Sequence, residues 1–168
     1  MLADVAKQVI GQMKITAFKE NKVLSLEISE NMPLVSADKE IMKRVIANLV
    51  YNSLKFTPPK GSVLLKISYK PEDKNIYIQV KDTGHGIPKE YLEKVFDKFV
   101  QVETQNIRTG RGLGLTFCKL MVEAHGGKIR AESEGLDKGA TFTIVLPIWQ
   151  RFYFKICWIW EFPKYFTE

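Results

Sequence analysis

At Thr57-Pro58-Pro59 a helix has to stop. Proline lacks the N–H that a helix interior uses and pushes the residue before it out of the helical region. Upstream, Ile41, Val45, Leu49 and Leu54 recur at helical spacing as far as Phe56, and Ser36 or Asp38 can cap the start. Beyond the prolines the apolar period shortens to that of strands: residues 63–69 and 76–80 alternate, and Pro71-Glu72-Asp73-Lys74 between them has turn composition, so the pair reads as a hairpin. A one-sided helix that passes directly into a hairpin has to bury its apolar stripe against that sheet.

The same change of period organises the rest of the chain. Val5, Val9 and Met13 mark a helix over about 2–20, and residues 23–28 then alternate as a strand. After Asp82-Thr83-Gly84-His85-Gly86-Ile87-Pro88 a short helix is expected over 89–96, followed by a polar, irregular stretch over 100–109 that is a candidate mobile lid. A helix over 113–124 ends at Gly126-Gly127, and residues 128–133 and 141–146 form a closing strand pair. With no internal repeat, helices on one face of a mostly antiparallel sheet make a two-layer α/β sandwich of the α+β class.

A chain of 168 residues, 45% apolar, can bury one core, so we expect one domain over 1–148 and an appendage over 149–168. The net charge of +6 would suit an acidic partner, yet 25 Lys and Arg are interleaved with 19 acids, which reads as a solvated basic surface and not a nucleic-acid patch. Cys118 and Cys157 lack metal or redox spacing, and two His make a zinc site improbable. With no cleavable signal pattern and no run of 18 apolar residues, a cytoplasmic location is expected, including that of the cytoplasmic part of a membrane-bound sensor.

Three segments carry chemistry. GRGLGL at 110–115 is neither a Walker loop nor a Rossmann fingerprint, and alone it reads equally as a flexible loop or as a helix start whose N–H groups approach an anion. Asp82 with Gly84 and Gly86 is either a tight turn with a solvated carboxylate or an acceptor for a base's exocyclic amine. Asn48, Asn52 and Lys55 fall at i, i+4 and i+7, so they share one helix face while Leu49 and Val50 turn to the core. Asn oxygens suit Mg²⁺, which takes few protein ligands, and Lys offers a point charge to phosphate; the alternative is a solvent face.

Read together, NLVYNSLKFTP at 48–58, DTGHGI at 82–87, Phe96-Asp97-Lys98-Phe99 and GRGLGL at 110–115 have the order and spacing of the N box, first glycine box, F box and second glycine box. Over residues 1–147 the chain resembles the catalytic ATP-binding domain of bacterial sensor histidine kinases, in the superfamily that includes DNA gyrase, a class of heat-shock chaperones and the mismatch-repair ATPases. The resemblance implies a Bergerat fold, a mixed five-stranded sheet packed on three helices. It also implies that ATP and Mg²⁺ are bound. Carried over by motif, Asn52 coordinates Mg²⁺, Asn48 supports that site and Lys55 contacts phosphate. Asp82 accepts from the adenine amine, Gly84 and Gly86 let the ring seat, and Phe96 and Phe99 anchor the base of the lid. Gly110, Gly112 and Gly114 line the phosphates; Ile87, Leu113 and Leu115 complete the lining, and Thr141 shares a water with adenine. Arg111 stands where Thr or Ser is common and Gln101 where many relatives carry Arg, so either Arg108 or Arg111 supplies the lid's charge.

What attacks the γ-phosphate separates the superfamily's members. Those that hydrolyse ATP, and the stand-alone serine kinases, place a Glu general base four residues before the metal-binding Asn; here that position is Asn48, and an amide takes no proton at neutral pH. The resemblance therefore implies a histidine acceptor on a separate dimerisation domain, with a response regulator downstream. His85 and His125 follow no phosphoacceptor pattern, so the partner histidine is sought elsewhere, and this chain alone is expected to be monomeric. The alternatives are a nucleotide-binding regulatory module without transfer activity and a stand-alone kinase or ATPase. The segment WQRFYFKICWIWEFPKYFTE departs from the resemblance, holding nine aromatics in twenty residues. It packs back on the sheet, docks on a partner, lies at a membrane interface or is a cloning scar.

Overall fold

In the computed structural model, which describes residues 1–100 and 113–148, helix α1 (Leu2–Lys19) buries Leu2, Val5, Ala6, Val9 and Ala17. Asn21 turns the chain through a left-handed conformation (φ 55°) into strand β1 (Val23–Ile28). Helix α2 (Lys39–Phe56) begins at Asp38, whose Oδ1 accepts the Ile41 N–H at 2.8 Å. Of the two candidate caps, Asp38 is the one used. The other end of α2 stops at Thr57, as the two prolines require. There the Thr57 hydroxyl donates to the Ser53 carbonyl at 2.6 Å and Lys22 Nζ to the Leu54 carbonyl at 2.7 Å, so two of the last carbonyls have donors.

Strands β2 (Ser62–Lys70) and β3 (Asn75–Asp82) form the expected hairpin, with Val63 opposite Asp82 and Lys70 opposite Asn75. The segment that follows is not the single short helix expected over 89–96. It forms two separate 3-10 turns, Lys89–Tyr91 and Lys94–Phe96. Eight residues bury only Val95 and Phe96, too little packing to offset the cost of nucleating an α-helix. Helix α3 (Gly114–Ala124) closes at His125 in a Schellman motif, in which the Gly127 N–H donates to the Val122 carbonyl at 3.0 Å and the Gly126 N–H to Glu123 at 2.9 Å. Strands β4 (Lys128–Glu132) and β5 (Thr141–Pro147) then pair antiparallel.

The sheet order is β1-β2-β3-β5-β4, with β1 parallel to β2 and every other pairing antiparallel. One face carries Val63, Leu65, Ile67, Ile76, Ile78, Val80, Phe142, Ile144 and Leu146, all buried against the helices. The other carries Lys66, Lys81, Arg130 and Glu132, all exposed. Among the described elements, then, three helices cover one face of a mixed five-stranded sheet, the two-layer α+β sandwich expected from the period changes. No described helix is long and apolar enough to cross a membrane. The segment 149–168 lies outside the described residues.

Candidate functional site

Strand alternation puts Asp82 on the helix side of the sheet, in line with Val80 and Ile78. A carboxylate there is cut off from water, so it needs donors. It has three: the Ser53 hydroxyl at 2.9 Å to Oδ2, and the Gly84 and Ala140 N–H groups at 3.0 and 3.1 Å to Oδ1. Burial pushes the Asp82 carboxyl above its ordinary range, and the three hydrogen bonds pull the other way. The donors come from α2, from the turn after β3 and from the residue just before β5, so one side chain ties three segments together. A carboxylate has about four lone-pair positions, which leaves Asp82 able to accept one further donor from a ligand.

The turn after β3 is pressed onto the C-terminus of α2. The His85 N–H donates to the Phe56 carbonyl at 3.1 Å, and a Cβ at Gly84 would lie 2.5 Å from that oxygen, so only glycine fits. Opposite stands a loop over 133–140. The Ser133 hydroxyl accepts the Ile87 N–H at 3.0 Å and donates to the Gly139 carbonyl at 2.7 Å. The Asp137 N–H donates to the His85 carbonyl at 2.7 Å, and its carboxylate sits 3.3 Å from His85 Nδ1. Gly139 has φ 70° and its Cβ would strike the Asp82 carbonyl. The two loops therefore form a single cradle of backbone around Asp82.

On α2 the stripe behaves as its spacing requires. Leu49 and Val50 are fully buried, while Asn48, Asn52 and Lys55 are half-buried on another face. Ser53, beside Asn52, is the residue that reaches Asp82, so the stripe and the carboxylate border the same region. Burial holds the Lys55 ammonium below its usual range, and Nζ lies 4.8 Å from the Phe56 ring centre. The start of α3 meets the stripe at its other end: a Cβ on Gly114 would lie 3.4 Å from Asn48 Oδ1. The first-turn N–H groups of α3 have no acceptor within the helix and carry the positive end of its dipole.

A buried carboxylate with spare acceptor capacity, a helix N-terminus and a neutral Asn stripe next to a Lys thus share one region. That donor set fits an aminopurine at one end and phosphates at the other. For a divalent cation, no cluster of three His, Cys, Asp or Glu exists among the described residues. Asn oxygens are what the stripe offers, and they match the habit of Mg²⁺ of keeping waters and substrate phosphates as its other ligands.

Phe96 is buried, edge-on to Phe142 with ring centres 6.4 Å apart. Phe99 is 72% exposed with φ 65°, so of the two phenylalanines only Phe96 is anchored in the core. Thr141 requires correction. It pairs with Lys81 and Glu132, whose side chains occupy the open face of the sheet, so it faces away from Asp82. The residue opposite Asp82 is Ala140, just before β5, which contributes its N–H; counting back from Pro147 missed the sheet's parity by one. Leu113 is exposed at the start of α3 and Leu115 half-buried in its first turn. Arg108, Gly110, Arg111 and Gly112 lie outside the described residues. Ser53, Ser133, Gly139 and Ala140 were not singled out from the sequence. Ser53 directly follows Asn52 on a face that the Asn spacing assigns to no function, and the others sit in a loop whose only signal was its glycines.

The model of the family described as histidine kinase-, DNA gyrase B-, and HSP90-like ATPase matches residues 37–150. The chain is 42% identical over 140 residues to the sensor histidine kinase WalK of Bacillus subtilis (strain 168), covering 79% of this chain and 23% of WalK. Of the solved structures, full-length ShkA in complex with AMPPNP superposes with a TM-score of 0.79 at 27% identity, covering 90% of this chain and 31% of that one. The nucleotide-free catalytic domain of histidine kinase ThkA gives 0.76 at 27% identity, covering 88% of this chain and 94% of that one. The chain spans 23% to 40% of the length of the curated relatives it matches.

Proposed function

This chain belongs to the family of histidine kinase-, DNA gyrase B-, and HSP90-like ATPases, and on that premise we propose that it is the ATP-binding catalytic domain of a two-component sensor histidine kinase. It would transfer the γ-phosphoryl group of ATP to a histidine nitrogen on a dimerisation domain, in the same protein or in trans, leaving ADP, and the phosphohistidine would then serve a response regulator. The observation that carries this reading is the buried Asp82 carboxylate, held by Ser53, Gly84 and Ala140 with capacity for one more donor. An exocyclic amine of adenine completes it; the O6 carbonyl of guanine would set acceptor against acceptor. In this reading Gly84, Gly86 and Ile87 seat the ring, and the N-terminus of α3, from Gly114, faces the phosphates. Lys55, at the opposite end of the stripe, adds positive charge toward the phosphates, and Arg108 or Arg111 adds that of the lid.

Asn52, supported by Asn48, would hold Mg²⁺, which supplies charge neutralisation to the transferring phosphoryl group. The chain's own contribution is position and electrostatics, because Asn48 stands where a general base would have to be. The incoming imidazole is itself the nucleophile, and an acidic residue beside it on its own domain would take its proton, so a base on this chain is not needed. Localisation on the cytoplasmic side, where ATP is present, follows from the same reading.

The test is transfer from radiolabelled ATP·Mg²⁺ to the histidine-bearing dimerisation domain of a related kinase. The reading expects acid-labile label on that domain, reduced at subsaturating ATP by Asp82→Asn, and slow phosphate release by the chain alone. ATP binding without transfer to any such domain would make it a regulatory module. Acid-stable phosphoserine, or rapid phosphate release, would move it to another branch of the superfamily.

A further inference from the structure

Helices α2 and α3 run antiparallel, and their contacts form a ladder. Gly114 lies against Asn48, and Arg44 stacks on Phe117 with its guanidinium 4.8 Å from the ring centre. The Cys118 thiol faces the Val45 carbonyl at 3.6 Å. The last rung is His125. Its Nδ1 donates to the Met121 carbonyl at 2.6 Å, and its Nε2 accepts the Asp38 N–H at 3.2 Å. A carbonyl can only accept and an amide N–H can only donate, so these partners call for the neutral ring with its proton on Nδ1. Asp38 is the N-cap of α2, and His125 is buried at the C-cap of α3.

From Asp38 to Asn48 along α2, and from His125 to Gly114 along α3, the helices advance by nearly the same length, about 15–17 Å at about 1.5 Å per residue. The ring at the far end therefore closes a frame whose near end is the contact between Asn48 and Gly114. A slip of α3 along α2 would break the bond from Asp38 to His125 and would carry the α3 N-terminus off the Asn stripe. Thiol, cation-π and van der Waals rungs tolerate small displacements, whereas a hydrogen bond near 3 Å with a fixed donor direction does not.

We infer that His125 is a positioning residue for the phosphate end of the site: by bonding the α2 N-cap it fixes the register of α3, and thereby the place of the N–H groups that start at Gly114. This rests on the reading of that helix start as the phosphate end. A residue serving only fold stability would affect every ligand alike. One that sets register acts on phosphates and spares the base, which is held separately by Asp82.

The experiment compares ATP·Mg²⁺ with adenosine in titrations of the wild type and His125→Ala. The expected result is ATP·Mg²⁺ affinity about five- to tenfold weaker, the scale of one or two impaired hydrogen bonds, with adenosine affinity unchanged within twofold. Because His125→Ala removes buried atoms and is at risk of unfolding, a second pair approaches from the other helix. Asp38→Pro deletes the N–H at a φ of −68° that proline accepts, and Asp38→Ala deletes the carboxylate cap alone. The proline variant should weaken ATP·Mg²⁺ beyond the alanine variant, again sparing adenosine. Equal loss of both ligands, or no loss in either pair, overturns the inference while leaving the nucleotide site standing. A wild-type chain that fails to bind ATP·Mg²⁺ overturns both.

Discussion

Ser53 Oγ donates to Asp82 Oδ2 at 2.9 Å, with both side chains buried. One bond thus joins the helix bearing the Asn stripe to the strand bearing the carboxylate proposed to bind the base. Ser53→Ala leaves Oδ2 without that donor and frees the carboxylate to rotate. The hydroxyl also stabilises the charged form of Asp82, so its loss should raise that carboxyl further above its ordinary range. We expect ATP·Mg²⁺ affinity to fall by about 1–2 kcal/mol, the scale of one lost hydrogen bond. Titration calorimetry at neutral pH measures it, and unaltered affinity would remove Ser53 from the site.

Asp82 should also leave a signature in the pH dependence of stability. Its folded carboxyl lies above the ordinary 3.8, chiefly because of burial. Between 3.8 and the folded value, the folded state keeps a proton that the unfolded state has released. Stability contributed by this group therefore falls as pH rises through that window and is level above it. Urea unfolding of the wild type and Asp82→Asn across the acidic range should show the wild type losing ground to the variant as pH rises. A difference moving in the opposite direction would mean that hydrogen bonding outweighs burial at this carboxylate.

Gly139→Ala is predicted to be costly in stability and in binding together. The backbone there is left-handed (φ 70°), and the added Cβ would meet the Asp82 carbonyl. The Asp82 N–H donates to the adjacent Ala140 carbonyl at 2.9 Å, so relief of the clash pulls on the same cradle. Destabilisation of more than about 1 kcal/mol is expected from the backbone conformation alone. Thermal melting and ATP titration check the pair; a variant of wild-type stability would contradict the packing described.

Thr116 offers a prediction in the other direction. Its Oγ1, in the first turn of α3, is a buried oxygen without a hydrogen-bond partner among the described residues. Thr116→Val keeps the branched shape at similar helix propensity and removes the unsatisfied hydroxyl. A gain of about 1 kcal/mol is expected, read as a higher midpoint in thermal unfolding. A lower midpoint would show that this hydroxyl has a partner in solution.

Cys118 should be inert to alkylating reagents in the folded state. It is buried under α2 and its thiol is pushed up to about 12 by burial, so the reactive thiolate is scarce at neutral pH. Modification of Cys118 in native conditions, followed by mass spectrometry, should track unfolding; fast labelling would contradict the α2 to α3 packing.

The fold was legible because its elements are long and differ in period. The helix ending at Thr57 and the hairpin after it were each specified by breakers and alternation within a short window. The 3-10 turns over 89–96 were not, because eight residues with two buried side chains carry no period to count. Asn48, Asn52 and Lys55 stood out as polar groups interrupting an apolar helix, and Asp82 as a carboxylate beside Gly84 and Gly86. Ser53 and Ala140 did not, since a small residue on a packed face looks like filler until the carboxylate it serves is seen across the sheet. Thr141 shows the converse: a polar residue near the right place in sequence, yet one step out of phase with the pleat that aims Asp82 inward.

The measurement that bears most directly on the central claim is a calorimetric titration of the chain and its Asp82→Asn variant with ATP·Mg²⁺. Asn preserves the packing: its oxygen can accept from Gly84 and Ala140 while its amide donates to Ser53. In the proposed site it presents a donor where an adenine amine would need an acceptor. The account predicts saturable one-to-one binding by the wild type and a loss of about 1–3 kcal/mol in the folded variant. Equal affinity in both, or no binding by the wild type, would contradict it.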